Sequence, residues 1–531
     1  MGAREDGASE EAALPEGWSW ATLGELSYSV KNGIFVSRPS VEPDGVPVLR
    51  IGAVRPLDLR LSDLRYTGLA EEEVLALDGV AGPGDLLFTR YNGNPNFVGV
   101  CARVPDDAPL LTYPDKLIRA RVPSDLVDSR YVAYAWAWQA TVRRLRQHLK
   151  TTAGQTGISG NSLKSISVPF APLLEQHRIA DALDERLARL AEIESRLMAA
   201  QQHLEKLRDF VMTAAATGVL AWDADLQDMP LVSSPSVKDG TLPPLAAGWH
   251  WSRLQDIAEV VGGVTKDSKN QHDPALPEVP YLRVANAQRA RLELSQVTRI
   301  RVAPKALEKL RLRHGDLLMA EGGDRDKLGR GWIWENQIED CIHQNHLFRA
   351  RILGGATHPK LLGWYVNSAA RSWFEANGKQ SVNLASISIS KVKLLPVPVP
   401  PADEQEQRDF VKLGEQVLAR FDHLVTACGR GLAHATALRS ALLAEAFAGR
   451  LVPQDPDDEP AEDLLKRIRA EREAADAERK AARRAATQAK RKSQTKRKVP
   501  APADAPPPSA PTTDTPLPEG EQATLPLEFN A

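Results

Sequence analysis

A chain of 531 residues with 43% hydrophobic and 26% charged side chains is too long for one core and reads as roughly three or four compact units of ordinary soluble composition. Its formal net charge of -2 excludes a uniformly basic body, so affinity for a polyanion has to come from local clusters. The cysteines Cys101, Cys341 and Cys428 are too scattered for a zinc cage or a disulfide framework and fit a reducing cytoplasm. No stretch approaches the ~18 apolar residues of a membrane span.

Taken in chain order, residues 1–13 are acidic and alanine-rich, lack the basic and apolar parts of a secretion leader, and are expected to be disordered. Residues 14–171 mix short β-branched runs, Gly/Pro/Asn turns and one amphipathic helix over about 128–149, the pattern of a compact α/β domain. Residues 172–222 read as one long helix. Leu183, Leu190, Leu197, Leu204 and Val211 recur every seven residues, with Ile193 and Leu207 three residues further on, as in a coiled-coil seam. A linker at 223–244 leads to a second α/β domain at 245–401, with its own amphipathic helix over about 358–377. A second long helix at 402–454 carries a looser seam through Phe421, Leu438 and Leu442. Pro172 and Pro401 stand before the helices and Gly218 and Gly449 after them, as start and stop signals. Residues 455–531 turn acidic, then basic, then Pro/Ala-rich, and read as a largely disordered tail. Its 525–529 stretch faintly resembles a short docking peptide.

The second half repeats the first. Gly17-Trp18-Ser19-Trp20 returns as Gly248-Trp249-His250-Trp251, Gly84-Asp85-Leu86-Leu87 as Gly315-Asp316-Leu317-Leu318, and Leu117 with Arg119-Ala120-Arg121 as Leu347 with Arg349-Ala350-Arg351. Shared spacing with diverged intervening residues means two copies of one fold whose variable parts have been free to differ, a pattern that suits a reader of two different targets and equally a duplicated enzyme or scaffold. Two helices with apolar seams cannot leave them in water; pairing them antiparallel within the chain puts the two domains at opposite ends of a rod, the alternative being a dimerisation coil between separate molecules. The expected architecture is a mixed α+β chain: two α/β domains separated by a pair of long antiparallel coiled-coil helices, related by a pseudo-two-fold axis. The tryptophans at 18, 20, 249 and 251 are expected in the cores, on one strand face of each copy.

The order of domain, Pro172-Leu173-Leu174-Glu175-Gln176, long helix, second domain and second helix resembles the specificity subunits of type I restriction-modification systems. So do Gly315 to Arg330, His343-Gln344-Asn345-His346, and Gly449 to Pro456 closing the second helix; the second Pro172-type motif has diverged to Pro401-Ala402-Asp403-Glu404-Gln405. The resemblance covers about residues 14–470. It implies a non-catalytic, cytoplasmic subunit whose two target recognition domains each bind one half of a bipartite, asymmetric site on double-stranded DNA, with the helices setting the gap. It implies as partners two methyltransferase subunits, which methylate adenine N6, and motor-nuclease subunits that cleave. S-adenosylmethionine, ATP and magnesium would reside in those partners and not in this chain. The alternatives are the specificity subunit of a fused methylase-nuclease and a coiled-coil protein scaffold.

The residues fit that division of labour. There is no phosphate-binding Gly-x-x-x-x-Gly-Lys-Ser/Thr loop, nor the Asn/Asp-Pro-Pro-Tyr/Phe motif expected of adenine methyltransferases. His343 and His346 lack a third metal ligand nearby, and Asp324 and Asp326 sit in a charged Gly-rich loop. DNA reading needs basic side chains for phosphates and Arg, Lys, Asn or Gln for base edges. The candidates are Arg90, Asn92, Asn94, Asn96, Gln155 and Lys164 in the first copy. In the second they are Lys266, Lys269, Arg325, Lys327, Arg330, Gln344, Asn345, Lys379 and Gln380. Asn and Gly also make turns, so the candidates carry weight as a set.

Overall fold

The computed structural model describes residues 13–36, 39–152, 154–220, 242–381, 384–474, 477 and 480–481. Two mixed α/β heads sit on two long helices, Leu173–Ala216 and Glu404–Phe447, each of 44 residues. The helices run antiparallel, as their facing pairs show. Glu194 meets Arg439 at 2.7 Å, Leu197 lies against Gly431, Arg208 meets Asp422 at 3.3 Å and Ala215 lies against Gly414. As one number rises its partner falls.

Each head is built on both helices, which fixes the heads to opposite ends. The core of head one contains Ile179, Ala180 and Leu183 from the start of the first helix and Leu443, Ala446 and Phe447 from the end of the second. The Phe447 ring lies 5.6 Å from Tyr131 and 5.7 Å from Trp138. Head two takes Val211 to Ala216 and Val411, Leu413, Leu418 and Phe421, with Phe410 5.6 Å from Trp249. Burying an aromatic ring of this size is worth about 2 kcal/mol, so the junctions are cores and not hinges.

The heads share one plan. Strand Ser19–Thr22 pairs with Ser167–Phe170, and His250–Arg253 with Pro396–Val399, closing each head at its base. The central antiparallel sheet of head one runs Cys101–Arg103, Leu86–Thr89, Leu117–Arg121, Ser29–Asn32; that of head two runs Ala258–Val261, Leu347–Ile352, Leu317–Ala320. A small three-stranded sheet completes each, Lys150–Thr152, Gln155–Gly157 and Tyr91–Asn92 in head one, Lys379–Gln380, Ala385–Ser386 and Gly322–Gly323 in head two.

The Pro172-type motif has a structural meaning. Trp18 Nε1 donates to Glu175 Oε2 at 2.9 Å, and burial pushes the Glu175 carboxyl above its ordinary range. Gln176 Oε1 accepts from the Asp128 amide at 3.0 Å, and its Nε2 donates to the Ala171 carbonyl at 2.7 Å. In the diverged copy Glu404 is exposed and pairs with Arg408 at 3.0 Å, while Gln407 Nε2 takes over the tether by donating to the Pro401 carbonyl.

Several expectations need correcting. Ile193 is 50% and Leu438 42% exposed, so neither lies in the seam: two helices bury one narrow stripe, and a strict seven-residue repeat drifts about 20° per heptad on a straight helix. Leu183, Leu190, Val211 and Phe421 are buried, and Leu197, Leu204, Leu207 and Leu442 half-buried. The amphipathic stretch at 128–149 is two helices, Ser129–Ala137 and Gln139–Gln147, broken where Trp138 turns extended to reach Phe447. That at 358–377 likewise divides into Pro359–Asn367 and Arg371–Asn377. Trp18 and Trp249 are core residues, but Trp20 and Trp251 are half-buried; Trp20 has the Arg144 guanidinium 3.9 Å from its ring centroid, and Trp251 packs against the core of head two.

The tail begins later than expected. Ala461, Leu464, Leu465 and Ile468, on a helix running from 461 through 474, are buried in the core of head one. The Ala461 amide donates to the Gly17 carbonyl at 2.9 Å, Arg178 pairs with the buried Asp458 at 2.5 Å, and Arg469 reaches Glu25 at 2.9 Å. Residues 455–474 therefore belong to head one. Most of 1–13, most of the 223–244 linker, and the tail from 482 onward lie outside the described residues.

Candidate nucleic-acid interface

The small sheet of each head gathers much of the candidate set. In head one, Tyr91–Asn92 pairs with Gln155–Gly157, which brings Arg90, Asn92 and Gln155 to one sheet. The loop that follows is shaped by its own amides. Asn92 Oδ1 accepts from the Asn94 amide at 2.9 Å, Asn94 Oδ1 from the Asn96 amide at 3.0 Å, and Asn96 Oδ1 from Arg146 Nη2 at 3.3 Å. Arg90 is half-buried, with its guanidinium 4.8 Å from the centroid of Tyr91. Beside it, Tyr91, His148, Lys150, Gln155 and Ser162 line an open cavity of about 290 Å³. Lys164 does not join this group. It ends the helix Gly160–Lys164, packed by Gly24 on the side of Leu23–Leu26.

In head two the equivalent sheet carries Lys379 and Gln380, both exposed, beside Gly322–Gly323. The short 3-10 turn Arg325–Lys327 follows. Arg325 donates to the Glu375 carbonyl at 3.0 Å, Lys327 pairs with Asp324, and Arg330 is half-buried, its charge disfavoured by desolvation. Gln344 and Asn345 lie at the end of the neighbouring strand, and Gln344 bridges Val264, which brings the exposed Lys266 toward the same end. Lys269 belongs elsewhere: its helix, Ser268–Gln271, is tied to strand Thr298–Arg301 through Gln271 Nε2 and the Arg301 carbonyl at 3.0 Å.

Two groups escaped the sequence reading. The helix Gln139–Gln147 presents exposed Arg143 and Arg146 and leads directly into exposed Lys150, a basic edge beside the small sheet. Its signal was the arginine cluster itself, absorbed into an amphipathic pattern. The second group is Glu321 with His346, joined by a 2.8 Å contact between His346 Nδ1 and Glu321 Oε2 across 25 residues of sequence. Only the fold brings them together.

His343 is a different case from His346. It is fully buried, its Nδ1 donates to the Leu347 carbonyl at 2.6 Å, and desolvation, helped by Arg349 and Arg351, lowers its pKa to about 4. It is a neutral core histidine. Among the described residues, no group of three or more His, Cys, Asp or Glu side chains is arranged to hold a metal, and no helix is long and apolar enough to cross a membrane.

The fold defines a protein that carries two like heads, each with a polar, partly basic surface around its small sheet, at opposite ends of an antiparallel rod. No protein-family model matches the chain. The type I restriction enzyme EcoKI specificity subunit of Escherichia coli (strain K12) is 34% identical over 203 residues, which cover 38% of this chain and 43% of that protein. The type I restriction enzyme StySPI specificity subunit of Salmonella potsdam is 23% identical over 475 residues, 86% of this chain and 96% of that one. A chain from a solved structure concerned with complex assembly and conformational transition of a type I restriction-modification system aligns with a TM-score of 0.57 at 18% identity, covering 82% of this chain and 99% of that chain, and shares the fold. The chain is thus similar in sequence to type I restriction enzyme specificity subunits and shares its fold with a chain of such a system.

Proposed function

We propose that this chain selects the DNA site of a type I restriction-modification complex, each head reading one half of a bipartite sequence while partner subunits carry out the chemistry. The observation that carries the reading is the small sheet built twice at corresponding places, with different side chains on it. A duplicated enzyme would keep one set of reacting groups in both copies. A reader of two different half-sites has to change them.

The spacing is suitable. Leu183 is the last first-helix residue in the core of head one and Val211 the first in head two. The rise between them is about 40 Å at 1.5 Å per residue. Half-sites one turn of duplex apart have centres about 34–36 Å apart and present the same face. The rod would also serve the partners, because Ile193, Met198, Leu424 and Leu438 are exposed apolar side chains along it. Such side chains suit burial against two methyltransferase subunits, with motor-nuclease subunits outside them. S-adenosylmethionine, ATP and magnesium then belong to those partners.

Basic groups near the small sheets should contact phosphates, and each lost contact lowers the slope of log affinity against log salt by about one unit. Arg143, Arg146 and Lys150 changed together to Ala should weaken binding and flatten that slope by up to about three units. Changing Arg325, Lys327 and Arg330 to Ala should do less, since Arg325 and Lys327 already have protein partners. Fluorescence titrations of a labelled duplex between 50 and about 200 mM salt decide the matter. Unaltered slopes in both variants would remove these loops from the interface.

A further inference from the structure

The two heads contain one equivalent station with opposite chemistry. In head one the Arg90 amide donates to the Lys116 carbonyl at 2.9 Å, and the Arg90 carbonyl accepts from the Ile158 amide at 3.0 Å. In head two the Glu321 amide donates to the His346 carbonyl at 3.0 Å, and the Glu321 carbonyl accepts from the Ile387 amide at 2.9 Å. The same two backbone bonds place Arg90 and Glu321 at one position of the fold, and Lys116 and His346 at another.

In head two the station opens into a cavity of about 540 Å³, lined by Glu321, Gly322, Gly323, His346, Ser381 and Ser386 among others. Glu321 is part-buried and held. His346 Nδ1 donates to its Oε2 at 2.8 Å, and Asn345 Nδ2 donates to His346 Nε2 at 3.3 Å. Gly322 and Gly323 leave the wall beside the carboxylate without side chains. Glu321 Oε1 accepts no hydrogen bond from the described residues and is the group left for a ligand.

A carboxylate only accepts hydrogen bonds, so it selects base edges that donate and repels those that accept. In the major groove cytosine N4 is the donor that Glu or Asp characteristically accepts from, whereas Arg forks onto guanine O6 and N7. Resting on the DNA-reading function proposed above, we infer that Glu321, positioned by His346, selects a cytosine in the half-site of head two, and that Arg90 at the same station of head one selects a guanine.

The test is selection from randomised duplexes by the full-length chain in its native complex, followed by sequencing of the bound DNA. Glu321→Gln should lower the preference for cytosine at one position of the second half-site by about tenfold, and leave the first half-site and the gap unaltered. His346→Ala should weaken the preference at that same position and nowhere else. Arg90→Glu should convert the corresponding guanine of the first half-site to cytosine, a readout independent of whether head two tolerates its substitutions. Base preferences unchanged by Glu321→Gln and Arg90→Glu would overturn the inference while leaving the two-headed reading intact. A wild-type complex that selects no two-block sequence would instead overturn the reading beneath it.

Discussion

Four residues inserted after Leu197, matched by four after Cys428, will widen the gap between the two half-sites by one to two base pairs and leave both half-site sequences unchanged. The sites are well placed for this, since Leu197 lies against Gly431, three residues past Cys428, in the middle of the rod. Four residues add about 6 Å of helix and slightly more than one turn, so the heads move apart with a small rotation. Duplex DNA rises about 3.4 Å per base pair, which sets the expected change. An insertion of four locally unwinds a seam without destroying it. Insertion in only one helix should fail, because facing pairs such as Glu194 with Arg439 would slip out of register. Mapping methylated sites in cells carrying each variant with its partners measures the gap directly. An unaltered gap in the double insertion would mean that the helices do not set it.

Gly263→Ala should abolish reading of one half-site, with Gly33→Ala abolishing the other. These glycines occupy corresponding places, each against the backbone at the end of a strand distant in sequence, Leu111–Thr112 for Gly33 and Ile342–His343 for Gly263. A Cβ on Gly263 would stand 1.9 Å from the His343 carbonyl oxygen, and one on Gly33 2.1 Å from that of Tyr113. Backbone cannot yield as a side chain can, so each substitution should destabilise its own head by about 3 kcal/mol or more, the upper end of overpacking costs. The other head keeps its own core, since the clusters of heads one and two share no residue. Thermal unfolding should split into two transitions, and binding should lose dependence on one half-site only. Loss of both half-sites from either substitution would show that the heads fold as one unit.

Much of this architecture was legible because duplication left the same spacings twice and the seven-residue leucines announce long helices. What escaped was set by tertiary contacts. Ile193 and Leu438 fit the repeat, but only one stripe of each helix is covered. The break at Trp138 has no local signal, because it exists to bring that ring onto Phe447. Ala461, Leu464, Leu465 and Ile468 do show the i, i+3, i+4, i+7 pattern of an amphipathic helix, yet the charges around them read as tail. Of the candidate site, Arg90, Asn92 and Gln155 are nominated from residue type and come together on the small sheet, whereas Lys164 and Lys269 share that chemistry but lie against other elements. Glu321 could not be found from sequence, since its partner His346 reaches it only through the sheet.

The claim on which the rest depends is that two dissimilar surfaces engage one duplex at a set distance. Selection of wild-type sites from fully random duplexes by the intact complex tests it most directly. Two conserved blocks of different sequence, separated by a constant stretch without preference and centred about one helical turn apart, are the predicted result. A single uninterrupted block, or two blocks at variable separation, would contradict it.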